Sequence, residues 1–84
     1  MSRLLYTRAV TNNDGILNHV RRHRRLLEWT QEELGERVGV TRQTIISIER
    51  GKYNPSVGLA LRMAQAFGIS VEELFEIDRG ASDD

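Results

Sequence analysis

An all-α fold, a compact bundle of five short helices, is what this sequence of 84 residues predicts. Three observations carry the prediction. Gly and Pro punctuate the chain at Gly39, Gly51, Pro55 and Gly68 and cut it into short segments. Within those segments apolar residues recur at three- and four-residue spacing. Two stretches, TQEE and SVEE, place Glu three residues after Thr or Ser, the capping-box signature of a helix start. Strand patterns are confined to the two ends.

The first helix is expected over residues 18–27, with Asn18 as N-cap and Val20, Arg24 and Leu27 on one face. Thr30 caps the second helix and Glu33 completes its box. Leu34 and Val38 form the buried stripe, Trp29 packs beneath, and Gly39 is the stop. Thr41 caps a third helix, 42–50, which Gly51 ends. KYNPS follows as a loop, because Pro55 disfavours helix at Asn54. A fourth helix over 57–67 carries Ala60, Leu61, Ala64 and Phe67 at core spacing and ends at Gly68. Ser70 opens a short fifth helix that runs through Leu74 or Phe75.

Residues 1–15 fit none of these helices. RLLYTRAV reads either as a strand or as a frayed arm, and Asp14-Gly15 is a hairpin-turn signal. Residues 16–17 and 75–77 are expected to pair as short strands near the two ends of the domain. The domain therefore spans 16–77, between an N-terminal extension, 1–15, and an acidic tail, 78–84. No internal repeat is present.

A single domain of this size buries roughly 60% of its unfolded surface, enough for one modest core. Cysteine is absent, which excludes disulfide and thiolate chemistry and fits a cytoplasmic setting. No apolar run approaches the roughly 18 residues of a membrane span, and the start lacks the apolar stretch of a signal peptide. Net charge is zero but unevenly spread. Residues 1–54 hold ten Lys/Arg against six Asp/Glu, and residues 55–84 hold two against six. The basic part includes RRHRR, residues 21–25. Such asymmetry permits an anionic partner on one side, and a solvated helix face is the plain alternative.

The chemistry concentrates in the third helix. With about 100° per residue and Arg42 at zero, Ile46, Arg50, Gln43 and Ser47 fall within about 140° of one another. Ile45, Ile48 and Thr44 fall on the other side. One side is thus short and apolar, and the other is a row of hydrogen-bonding groups that includes one isoleucine. Arg offers a fork for guanine O6 and N7, and Gln a donor–acceptor pair for adenine N6 and N7. Ser serves either way, and an aliphatic group meets the thymine methyl. For Ile46 that contact and a merely tolerated exposure both stand. The helix before it has similar length and joins it through the three-residue turn 39–41, a helix-turn-helix connection. Such a unit lays its second helix in the major groove.

TQEELGERVGVTRQTIISIERGKYNPS resembles the Xre-type, phage-repressor-like helix-turn-helix family, and the likeness continues through LALRMAQAFGISVEELF. It covers about residues 18–77. The resemblance implies a five-helix bundle, dimeric operator binding and control of transcription. It places Arg42, Gln43 and Ser47 at base-reading positions, with Ile46 among them. It places Gln31 on a phosphate at the start of the second helix, and Thr41 and Thr44 near the backbone. Arg50, Lys52, Tyr53 and Asn54 fall where the helix end and following loop meet phosphates. Arg24 and Glu49 match an ion pair between the first and third helices. The chain departs from the family pattern at two positions. Glu28 stands where the family often has Gly, and Gly35 where it usually has Ala, which would let the two helices approach more closely. Residues before Ile16 lie outside the resemblance.

Other constellations carry less. His19 and His23 are four apart, a spacing that holds zinc, but no third ligand is evident and four neighbouring arginines repel a cation. No metal or other cofactor is expected. His23 is expected at the core edge and His19 facing solvent. Glu32-Glu33 and Glu72-Glu73 occupy first helical turns, where they complement the helix dipole. No phosphate-cradling Gly loop and no nucleophile–base spacing appears, so no enzymatic activity is expected. The expected function is sequence-specific binding of double-stranded DNA by a homodimeric transcriptional repressor on a palindromic operator. Val71, Leu74, Phe75 and Ile77 are the candidate dimer surface. The alternative is an antitoxin-like protein whose main target is another protein.

Overall fold

The computed structural model describes residues 10–11 and 15–79. Strand β1, Val10–Thr11, and strand β2, Ile16–Asn18, precede four helices: α1, Val20–Leu26; α2, Gln31–Val38; α3, Arg42–Glu49; and α4, Val57–Phe67. A short helix α5, Val71–Leu74, then runs directly into strand β3, Phe75–Ile77. The five expected helices are present.

Local chemistry sets most of their ends. Thr30 Oγ1 accepts from the Glu33 amide at 3.0 Å while the Glu33 carboxylate accepts from the Thr30 amide at 2.7 Å. Ser70 and Glu73 repeat this reciprocal pair at 3.1 and 2.9 Å. Gly39 and Gly68 close α2 and α4 in the left-handed region, at φ 81° and 74°, which only Gly enters without steric cost. Ser56 caps α4 by accepting from the Leu59 amide at 3.1 Å. No Glu or Gln follows Ser56 at the third position, so its sequence signal is weaker.

α1 departs from its expected bounds. It starts at Val20, because Asn18 belongs to β2. Asn18 still serves the helix start: its Oδ1 accepts from the Val20 amide at 2.9 Å and its Nδ2 donates to the Ile48 carbonyl at 2.5 Å. The helix ends at Leu26, and Leu27 is 44% exposed rather than on the buried face with Val20 and Arg24. Glu28, where the family often has Gly, then takes φ +60°, the left-handed conformation that Gly enters without steric cost.

The expected pairing of chain ends is present. β2 and β3 are antiparallel, with Ile16 opposite Ile77, Leu17 opposite Glu76 and Asn18 opposite Phe75. β1 adds a third strand on the far side of β2, with Val10 opposite Asn18. Of the stretch RLLYTRAV only Val10 is among the described residues, and it belongs to β1; residues 3–9, on which the choice between strand and arm falls, lie outside them. The acidic tail, beyond residue 79, and the turn residue Asp14 lie outside the described residues.

The core gathers Val20, Leu34, Val38, Ile45, Ile48, Leu59, Met63, Ala64 and Leu74. Each fully buried aliphatic side chain contributes roughly 1.5–3 kcal/mol relative to exposure. Trp29 packs against this core and stacks on Phe67 at 5.7 Å, with the Arg37 guanidinium 4.0 Å above its ring. On α4 the expectation is corrected at Leu61, which is 55% exposed. Leu59 and Met63 hold the core instead. α4 is apolar on nearly every side, so spacing alone does not select which side turns inward. Part of the answer comes from Arg62, whose Nε donates to the Val38 carbonyl of α2 at 3.1 Å.

Gly35 explains its own departure from the family. A Cβ there would lie 2.7 Å from the Val40 carbonyl oxygen and 3.3 Å from the Thr41 carbonyl carbon. The close approach is between α2 and the backbone of the turn, more than between helix and helix. The same turn is held by Gly39 and Val40 amides that both donate to the Gly35 carbonyl, at 2.8 and 2.9 Å.

Candidate nucleic-acid interface

The α2–turn–α3 unit is clamped from within. Ile45 and Ile48 are fully buried, so α3 is fixed in rotation about its axis. Thr41 Oγ1 accepts from the Thr44 amide at 3.2 Å and caps the helix, and the two threonine hydroxyls lie 3.1 Å apart. Arg42 and Gln43 are then exposed, Ile46 and Ser47 are half-buried along the same outward side, and Thr44, at its margin, is half-buried too. Ile46 is thus less open than the row of polar neighbours implied.

Gly51, at φ +75°, reverses the chain at the end of α3. The Lys52 amide donates back to the Ser47 carbonyl at 3.0 Å, which folds the loop against the helix it has just left. Gln43, Ser47, Lys52 and Tyr53 consequently line one shallow groove of about 280 Å³. Arg50, Lys52, Tyr53 and Asn54 are exposed around it. The structure therefore brings Gln43 and Ser47, expected to read bases, together with Lys52 and Tyr53, expected to hold the loop to phosphates, while Arg42 lines a different groove beside Gln31.

Behind this side lies the ion pair. Arg24 Nε donates to Glu49 Oε2 at 2.7 Å and Nη2 to Oε1 at 3.1 Å, while Nη1 donates to the Trp29 carbonyl at 2.8 Å. Glu49 Oε1 also accepts from Gln31 Nε2 at 3.2 Å and from Arg21 Nε at 3.4 Å. The carboxylate thus joins α1, α2 and α3. Gln31 is oriented by it at the start of α2 and keeps a second amide hydrogen for another acceptor. Among the described residues no buried side-chain nitrogen or oxygen lacks a partner.

The candidate dimer surface shrinks. Leu74 is 0% exposed, enclosed in its own chain's core, and is not available to a second chain. Val71 and Phe75 are half-buried and Ile77 is 63% exposed.

The histidines also separate. His19, expected to face solvent, is instead 14% exposed and lies against Glu76, with Nε2 and Oε2 2.6 Å apart. His23 packs tilted against Phe67 at 5.8 Å. Burial lowers its pKa from the ordinary 6.5, Arg22 and His19 add to the lowering, and Glu73 opposes it. Among the described residues no group of three His, Cys, Asp or Glu converges as a metal site. No helix among them is long and apolar enough to cross a membrane.

A clamped second helix with an outward row of Arg, Gln and Ser, flanked by a basic loop, defines the helix-turn-helix class of DNA-binding proteins. The sequence profile of the family described as helix-turn-helix matches residues 20–74, and the chain belongs to this phage-repressor-like family of transcription regulators. An uncharacterized HTH-type transcriptional regulator of Methanothermobacter thermautotrophicus is 57% identical over 60 residues, 70% of this chain and 87% of that one. The uncharacterized HTH-type transcriptional regulator YgzD of Bacillus subtilis is 46% identical over 61 residues, 73% of this chain and 92% of its own. Among solved structures, the restriction-modification controller protein C.AhdI of Aeromonas hydrophila superposes with a TM-score of 0.62 at 31% identity. That match covers 66% of this chain and 83% of C.AhdI. The chain is a regulator and not an enzyme.

Proposed function

We infer that this protein represses transcription by occupying a palindromic operator as a homodimer. One observation carries the reading: Gln43 and Ser47 of α3 share a groove with Lys52 and Tyr53 of the following loop. Base-edge chemistry and backbone chemistry therefore meet the same stretch of duplex. In this reading α3 enters the major groove, and Arg42, Gln43 and Ser47 read base edges while Ile46 meets a thymine methyl. Gln31, Thr41, Thr44, Arg50, Lys52, Tyr53 and Asn54 hold the backbone and set the register.

A single unit reads few base pairs, and a two-fold dimer doubles the contacts with half-sites about 34 Å apart. Val71, Phe75 and Ile77 are the apolar residues left for the seam. Repression needs only occupancy of the site, which excludes other proteins from it. A cytoplasmic location agrees with that role. Selection of bound sequences from a random DNA pool tests the whole reading. The expected outcome is an inverted repeat with centres one helical turn apart. A pool that stays unenriched overturns it, and enrichment of single, unrepeated sites removes the dimer.

A further inference from the structure

We propose that Arg21 and Arg25 of α1 extend the reading side with a phosphate subsite for the backbone of DNA flanking each half-site. The proposal rests on the DNA-binding reading above and assigns it two residues from outside the helix-turn-helix unit. A groove of about 540 Å³ separates α1 from the start of α2, and Arg21, Arg24, Arg25, Gln31, Glu32 and Arg42 line it. Four arginines thus line one space, and the guanidinium of one, Arg24, is committed to Glu49 and the Trp29 carbonyl.

The carboxylates nearby do not balance them. Glu49 gives its short contacts to Arg24. Arg21 meets the same carboxylate at 3.4 Å through Nε, on an oxygen already shared with Arg24 and Gln31, and 38% of its side chain is exposed. Glu32 is the carboxylate lining the groove, as one charge against the two of the exposed Arg25 and Arg42. The groove therefore keeps an excess of positive charge, next to the positive end of the α2 dipole. Arg21 and Arg25 also stand four apart on one helix, a spacing at which like charges oppose each other. An anion between them reverses that opposition, and a forked guanidinium suits phosphate oxygens.

The position of Arg42 decides between a phosphodiester and a small free anion. Arg42 lines this groove and also begins the outward row of α3. A duplex seated on α3 passes Arg42 and carries its backbone on toward Arg25 and Arg21. The groove thus adjoins the reading side through Arg42.

The test uses the full chain and two synthetic duplexes built on the sequence recovered from the random pool. One ends at the outer edge of each half-site, and the other extends by about half a helical turn at both ends. The native chain is expected to bind the extended duplex more tightly, with a salt dependence steeper by about one ion per protomer. The R21Q/R25Q pair is expected to erase both differences while base preference stays unchanged. R25Q alone, which leaves the Glu49 cluster intact, is expected to lose most of the extra slope and guards against a folding defect in the double variant. Equal binding of the two duplexes by the native chain, or an undiminished advantage in R25Q, overturns the proposal. Failure of the native chain to bind either duplex overturns the DNA-binding reading itself, and this proposal with it.

Discussion

Arg24 and Glu49 meet through two hydrogen bonds of 2.7 and 3.1 Å, with the carboxylate wholly buried and the guanidinium nearly so. The pair ties α1 to α3. Removing one partner strands the other charge inside the protein. Glu49→Leu or Arg24→Leu alone is therefore expected to cost about 3–5 kcal/mol. The double replacement is expected to recover much of that, because no unpaired charge remains. Denaturant melts of the three variants check this. The double variant should still bind DNA less well, because Gln31 loses the oxygen that orients it. A double variant as unstable as either single one would show that the pair contributes net stability.

Gly35→Ala is expected to destabilise the chain, although Ala is the better helix former by about 1 kcal/mol. The new methyl would stand 2.7 Å from the Val40 carbonyl oxygen, which is backbone and has no rotamer to escape into. Overpacking of this kind costs about 1–3 kcal/mol, so the net change is a loss. The same shift should move the turn, and with it the start of α3. A lowered melting point with weakened DNA binding is the expected outcome. A stabilised variant would mean that the turn yields easily.

Glu28→Gly is expected to stabilise. Glu28 holds φ +60°, where an L side chain costs about 1–2 kcal/mol. Glycine removes that cost but adds about 0.5–1 kcal/mol of chain entropy. The remainder is a gain of up to about 1.5 kcal/mol, to be read as a higher unfolding midpoint. No loss of affinity is expected, since the residue follows α1 and lies outside both grooves.

His23 makes stability fall as the solution is acidified. Burial is the main reason that its pKa lies below 6.5 in the folded chain, with Arg22 and His19 adding to it. The unfolded chain therefore binds this proton first. Stability from this group is complete above the ordinary pKa and is lost as pH falls through it toward the lower folded value. His23→Phe, which keeps an apolar ring against Phe67, should flatten this part of the pH profile in thermal melts. An unchanged profile would place the titration elsewhere.

Parts of the fold and of the site differ in how far the sequence alone discloses them. Capping is local chemistry, and the Thr30–Glu33 and Ser70–Glu73 boxes appear where their spacing puts them. The apolar and polar sides of α3 follow from its period, with Ile45 and Ile48 inward. Leu61 escapes because an almost wholly apolar helix has no preferred side until α2 packs against it. Leu74 was legible as apolar but not as already enclosed by its own chain. Glu76 is distant in sequence from His19, so no spacing rule could join them. RRHRR was legible as charge, but the groove that gives Arg21 and Arg25 a shared purpose exists only once α2 and α3 are in place.

On the proposed function the outward row of α3 and its loop make separable demands on DNA, and substitutions should divide them. Gln43→Ala is expected to relax preference at one base position, at a cost of about 1–3 kcal/mol. Lys52→Ala should weaken all sequences alike and lower the salt slope by about one ion. Ile46 is the intermediate case. Its half-buried side chain rests partly on the protein, so Ile46→Ala removes some packing as well as any contact with a base. Loss of thymine preference at one position, beyond the uniform weakening that packing alone causes, is the result expected for a methyl contact. Site selection with the variant measures that difference, and an unchanged base profile would assign Ile46 to the fold.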